Sequence, residues 1–164
     1  MKLISLIQPW ATLVAEGYKR FETRGWYTDY RGPLAIHATK GHPDRGALAY
    51  LSAKYPEVFR ALQTLDEHGK ILAVAQLEGC VSMYAKGHQS PDGTPLTLEN
   101  TMLAGPIGPV LHPEREIDFG DWRVGRYALD LQNVRRVVPF VIPRGSQGKP
   151  ISLNPAVETS LVYL

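Results

Sequence analysis

The chain has 164 residues, 44% hydrophobic and 21% charged, which is an ordinary composition for one globular domain with its own core. Its formal net charge of +2 excludes the strongly basic field of a histone-like protein, so any contact with nucleic acid requires a local basic patch. The single cysteine, Cys80, excludes a disulfide framework within the chain and favours a reducing, cytoplasmic setting.

The N-terminal stretch "MKLISLIQPWATLV" predicts a strand over residues 3–7, followed by a short helix that ends at Gly17. Gln8, Pro9 and Trp10 interrupt the apolar run, so we interpret it as a strand and not as a signal peptide. No apolar run approaches the roughly 20 residues of a membrane-spanning helix. We therefore expect no membrane contact.

The stretch "RFETR", residues 20–24, alternates charged and uncharged side chains with the period of a β-strand. Arg20, Glu22 and Arg24 should then share one face, while Phe21 and Thr23 occupy the other. The alternatives are a structural ladder of ion pairs and a ligand-binding cleft. The excess of positive charge around Glu22 favours its ionised form in either case.

Further elements follow along the chain. Strands are predicted over residues 34–38, 71–83 and 126–132, with a hairpin partner in "RRVVPFVI", and helices over residues 43–68. Residues 86–109 are predicted to form a long loop with a helical turn at "LTLENTM". In the tail, Asn154 and Pro155 are typical of a helix start. Together these elements predict an α+β fold, a small, mostly antiparallel β-barrel with short helices on its rim, as a single domain over residues 1–164.

Aromatic and basic side chains alternate densely after the second strand, which is typical of surfaces that stack on bases and contact phosphates. We expect Trp10, Trp26 or Tyr30 to meet a base and Arg24 and Arg31 to meet phosphates. The competing interpretation is that the tryptophans belong to the core.

The histidines show no paired ligand spacing and Cys80 has no partner, so neither a metal nor another cofactor is expected. His37 lies in the apolar stretch "LAIHA" and is expected to be a core histidine. The stretch "RGSQG" is either a plain turn or a set of backbone N–H groups for a phosphate.

The opening "ISLIQPWATLVAEGYKRFETRGWYTDYRGPLAIHA" resembles an ASCH domain, a branch of the PUA-like superfamily. The resemblance rests on a Gly-x-Lys-x-x-Glu-x-Arg motif made by Gly17, Lys19, Glu22 and Arg24, with "QPW" before it and "YRGPLAIHA" after it. The later "FGDWRVGRYALDLQNVRRV" and "RGSQG" are also similar to the family. The resemblance implies a pseudo-barrel with a cleft beside the first helix that accepts single-stranded RNA or a nucleotide-like small molecule.

The resemblance also leaves an enzyme open, because some similar small proteins are ribonucleases or remove the acetyl group from N-acetylcytidine. Their catalytic set implies Lys19 here, whereas Glu22 occupies the position of the expected threonine, and Glu99 matches the third member only loosely. Thr23 is adjacent but should point to the opposite face. A Lys19–Glu22 pair would then act in general acid–base chemistry. The oligomeric state does not follow from the sequence.

Overall fold

The computed structural model describes residues 1–62, 67–85, 101–103, 113–146 and 148–164. These residues fall into two compact units. Unit 1 comprises residues 1–18, 32–76 and 133–164, and unit 2 comprises residues 19–31 and 77–132.

The described part of the chain is a mixed α+β structure with a mostly antiparallel sheet and short helices. In chain order the elements are β1 (Lys2–Leu6), α1 (Trp10–Ala15), β2 (Phe21–Arg24), β3 (Gly32–Ala38), α2 (Arg45–Lys54), α3 (Pro56–Leu62), β4 (Lys70–Ala85), β5 (Thr101–Leu103), α4 (Pro113–Asp118), β6 (Tyr127–Val141), β7 (Ile151–Ser152) and α5 (Pro155–Thr159). None of the helices in the described residues is long and apolar enough to cross a membrane.

In unit 1, β1 lies between β3 and the edge strand β7. It runs parallel to β3, with Lys2 opposite Leu34 and Leu6 opposite Ala38, and antiparallel to β7. The strands of this unit are apolar on the side that packs, which gives a buried cluster of residues from β1, β3, β4, β6 and the tail: Leu3, Ala35, Ile71, Val74, Val137, Ile142 and Leu161.

Two helices of unit 1 begin at the capping residues that their sequences favour. The side chain of Asp44 accepts a hydrogen bond from Ala47 N at the start of α2. At the start of α5, Asn154 Oδ1 accepts from Ala156 N at 2.8 Å, with Pro155 in the first helical position. The helix start expected at Asn154 is therefore confirmed.

A buried polar clasp joins β1, β3 and the loop after β6 within unit 1. Ser5 Oγ lies 2.8 Å from His37 Nδ1 and accepts a 2.8 Å hydrogen bond from Ser146 N, while Ser146 Oγ accepts from Ser5 N. Gly145 fits this clasp because a Cβ there would lie 2.3 Å from Ser5 Oγ. His37 is only 4% exposed and is thus the core histidine that the sequence predicts.

In unit 2, β2 pairs antiparallel with β6, placing Phe21 opposite Asp130 and Arg24 opposite Tyr127. Behind β2 lies an apolar cluster in which the rings of Phe21 and Trp122 meet edge to face, 5.8 Å apart. The indole N–H of Trp122 donates to Glu116 O at 2.7 Å, which ties α4 to this cluster.

The five strands predicted from the sequence are all present; four have ends within a few residues of the prediction, and β6 continues nine residues beyond its predicted end at residue 132. Two other expectations are wrong. The strand order gives β2 and β7 a single neighbour each, so the described strands form an open sheet and not a closed barrel. The expected hairpin is one continuous strand, β6. Within it only Asn133 adopts a left-handed conformation (φ 48°), and a single residue of this kind does not reverse the chain direction.

Candidate functional site

The charged face of β2 forms a short chain of ion pairs centred on Glu22. Glu22 Oε2 lies 3.5 Å from Lys19 Nζ, and Glu22 Oε1 lies 2.9 Å from Arg24 Nε. Arg24 is on the same face as Glu22 because residues two apart in a strand project to the same side. The structure therefore brings together the lysine, the glutamate and the arginine of the motif.

Lys19, the lysine of the motif, is buried. Its side chain is 1% exposed, and its ammonium donates to Phe21 O at 2.5 Å and also to Phe119 O. A buried ammonium must be compensated by acceptors and counter-charge, and here two carbonyls and Glu22 provide both. Lys19 is therefore part of the buried structure of unit 2.

Glu116 is a component of this site that the sequence analysis missed. It is 2% exposed, and its carboxylate accepts hydrogen bonds from Arg20 N at 2.5 Å and Phe21 N at 3.1 Å. Burial raises the pKa of Glu116, while the nearby Lys19 ammonium opposes the rise. No sequence signal separates Glu116 from its neighbour Glu114, since its partners lie about 95 positions earlier.

Asp130 was also missed, although a signal was present. It is an acid within the apolar strand stretch "YALDL", and buried acids of this kind require a partner. That partner is Arg20, whose guanidinium makes two parallel bonds to Asp130, of 2.6 Å and 2.9 Å.

The charges of the site balance one another. Three cationic side chains, Lys19, Arg20 and Arg24, are matched by three acidic ones, Glu22, Glu116 and Asp130. The site as a whole therefore carries no surplus positive charge, and attraction for an anion depends on cations that keep exposed surface, such as Arg24, whose side chain is 23% exposed, and Arg31.

The exposed groups follow β2 in the segment of residues 24–31, which we call the aromatic–basic segment. The Arg24 guanidinium lies 5.9 Å from the centre of the Trp26 ring, and the Tyr27 ring lies 5.6 Å from that of Tyr127. Tyr27 is 44% exposed, whereas Trp26 is half-buried. The segment thus presents aromatic surface beside a guanidinium.

Tyr30 and Arg31, at the end of this segment, form local hydrogen bonds. Tyr30 N donates to Thr28 Oγ1 at 3.2 Å, and the exposed Arg31 guanidinium donates to Thr28 O and Tyr30 O at 2.9 and 2.8 Å. Both bonds use the same nitrogen of the Arg31 guanidinium, and the residue is exposed.

The other predicted site residues are placed differently. Trp10 is half-buried at the start of α1 in unit 1. Glu99 lies outside the described residues. Thr23 is on the face opposite Glu22, as the alternation predicts, and its hydroxyl accepts from Asp121 N at 2.9 Å. In the ranges that the structure describes, no three His, Cys, Asp or Glu side chains are grouped to hold a metal ion.

The sequence matches the family model of the ASCH domain over residues 4–104, which includes the whole motif from Gly17 to Arg24. It is also similar to Activating signal cointegrator 1 of Mus musculus and of Homo sapiens, with 36% identity over 96 residues in each case. These matches cover 54% of this chain but only 16% of each relative, so the chain spans a small fraction of their length. Since the family model covers more than half of the sequence, the chain belongs to the ASCH domain family.

Proposed function

We propose that this chain is a binding module for short single-stranded RNA or a nucleotide, and that the aromatic–basic segment is its contact surface. The observation that carries the proposal is the placement of Arg24 over Trp26 directly beside the exposed Tyr27. Aromatic faces next to guanidinium groups suit nucleic acid because bases stack and phosphates pair with arginine. The association of ASCH domains with RNA binding adds support.

The proposed contacts divide by chemistry. Arg24 and Arg31 meet anionic groups, and the exposed Tyr27, together with Trp26 or Tyr30, stacks on a base. Trp10 lies in unit 1 and stays a separate prediction from the sequence. Lys19, at 1% exposure, acts indirectly by holding Glu22, which in turn orients Arg24.

A short footprint follows from the charge balance. The net charge of the chain is +2, and the acids of the site offset its buried cations. Long grooves that track single strands need many phosphate contacts. We therefore expect recognition of a few nucleotides.

Binding of fluorescent single-stranded oligoribonucleotides, measured by anisotropy, tests this proposal. Tyr27→Ala should weaken binding about 5- to 150-fold if the ring stacks on a base, which corresponds to roughly 1–3 kcal/mol. The matched control is Tyr50→Ala, since Tyr50 on α2 is 47% exposed and Tyr27 is 44% exposed. Equal effects of the two substitutions would contradict the proposal.

Arg31→Gln tests the electrostatic part. Loss of one phosphate contact should make the plot of log affinity against log salt concentration less steep, by about 0.7 for a single strand. Arg45→Gln, which removes an exposed arginine at the start of α2, is the control and should leave that slope unchanged.

A hydrolase acting on RNA or on a modified nucleoside is the second candidate. The specific observation in its favour is the contact between Lys19 Nζ and Glu22 Oε2, a buried acid–base pair of the kind used in proton transfer. A panel of RNAs and acylated nucleosides, analysed by mass spectrometry, separates the two functions. Turnover that disappears in Glu22→Gln would favour the enzyme, and binding without any product would favour the module.

Three further expectations belong to the same proposal. The open sheet is a variant of the PUA-like fold, the chain acts as a single domain over residues 1–164, and the protein works in the cytoplasm. The last rests on the single cysteine, Cys80, which suits a reducing compartment.

A further inference from the structure

A second site lies in unit 1, away from the motif in the sequence. A pocket of about 250 Å³ opens between the end of β6, β7 and α5. Its walls are mostly apolar and include Leu3, Ile142, Ile151 and Val157, and its polar lining includes Arg144 and Asn154. We propose that this pocket binds a small apolar group that carries a carboxylate.

The size of the pocket sets the apolar part of the ligand. A cavity of about 150 Å³ lined by aliphatic side chains is enough to bind benzene. The larger volume here accommodates a branched aliphatic or phenyl group together with a short polar end. Filling it would remove apolar surface from water, which favours binding.

The polar lining sets the charged part of the ligand. Arg144 is exposed, and the structure records no hydrogen bond or ion pair for it among the described residues. The Asn154 Oδ1 atom accepts a hydrogen bond from Ala156 N, so the amide NH₂, a donor, is the second hydrogen-bonding group of this lining side chain. No acidic side chain is among the described residues that line the pocket.

An arginine and an amide donor among the residues that line an apolar pocket suit a carboxylate, because arginine pairs with both oxygens of that group. A phosphate would also accept these bonds, but a single cation compensates only one negative charge. Two sources share the inferred chemistry, namely a free aliphatic or aromatic acid and the C-terminal residue of a peptide that ends in an apolar side chain.

Methyl NMR titration of the full chain tests the inference with three probes. They are 4-methylpentanoate, N-acetyl-leucine and the neutral N-acetyl-leucinamide. Both acids should shift the methyl signals of Leu3, Ile142 and Val157 saturably, while those of Met83 and Leu129 in unit 2 stay constant. The neutral amide should bind at least tenfold more weakly. Tighter binding of N-acetyl-leucine than of 4-methylpentanoate would identify a peptide C-terminus as the source, and the reverse a free acid.

Two variants test whether the charge of Arg144 contributes to binding of the acids. Arg144→Gln should weaken binding of the acids to the level of the neutral amide, while Lys149→Gln should not, since Lys149 is an exposed cation of the same loop that does not line the pocket. Three outcomes would overturn the inference: absence of saturable shifts at the pocket methyls, equal binding of acid and amide, or equal weakening by the two substitutions.

Discussion

Replacement of Lys19 by methionine should destabilise the protein far more than replacement of an exposed lysine. Methionine keeps most of the length and volume of the side chain but removes the ammonium. The variant would leave two backbone carbonyls, of Phe21 and Phe119, without their charged donor, and Glu22 without one of its two cationic partners.

The magnitude follows from these contacts. Removing one partner of a buried ion pair costs about 3–5 kcal/mol when the other charge is left uncompensated. Glu22 retains Arg24 at 2.9 Å, so the lower end of that range, about 3 kcal/mol, applies. Lys19→Ala should cost about 1–2 kcal/mol more, because it also opens a cavity.

Urea unfolding monitored by circular dichroism measures these changes. With a slope of about 2 kcal/mol per molar urea, Lys19→Met should lower the midpoint by about 1.5 M. The control, Lys149→Met, makes the same chemical change at an exposed site and should stay within about 0.5 kcal/mol of the wild type. A Lys19→Met protein as stable as that control would refute the role assigned to the buried ammonium.

Three other predictions concern single residues. Burial raises the pKa of Glu116 above its usual 4.5, so the folded state holds its proton longer. The wild type should therefore lose stability relative to Glu116→Gln as pH rises from about 4.5 towards neutrality. If urea unfolding shows a stability difference between the two proteins that does not change with pH, this prediction is contradicted. Burial and the charge of Lys40 lower the pKa of His37 below 6.5. The wild type should therefore lose stability relative to His37→Gln as pH falls below 6.5. Parallel stability curves of the two proteins from pH 7.5 to 5.5 would count against this prediction. Gly145→Ala should lower the free energy of unfolding by about 1–3 kcal/mol, because the added Cβ would overlap Ser5 Oγ and His37 Nδ1. The control is Gly41→Ala, whose Cβ would meet its nearest neighbour at 3.7 Å and which should leave thermal unfolding nearly unchanged.

The local features of the site could be predicted from the sequence because they depend on neighbouring residues. The period-2 alternation of "RFETR" correctly placed Glu22 and Arg24 on one face and Thr23 on the other. Capping at Asn154 was predictable for the same reason, since the donor is only two residues away.

The burial of the site was not predictable, because it depends on residues about 100 positions away. Phe119 supplies a carbonyl to Lys19, and Glu116 covers the backbone at the start of β2. Nothing in the sequence around Lys19 indicates that α4 packs there. The hairpin expected near Asn133 failed for a local reason, since asparagine is frequent both in turns and at single bends within strands.

The two compact units have a practical consequence for dissecting the protein. Because unit 1 takes three stretches of chain and unit 2 takes two, the backbone passes from one unit to the other four times, after residues 18, 31, 76 and 132. No single cut releases either unit intact. A fragment ending at residue 104, where the family match ends, would also lose Asp130, the partner of Arg20, and Val137, a member of the unit 1 core. Limited proteolysis at any one exposed bond should therefore yield a nicked protein whose pieces stay associated, and not a separable stable fragment.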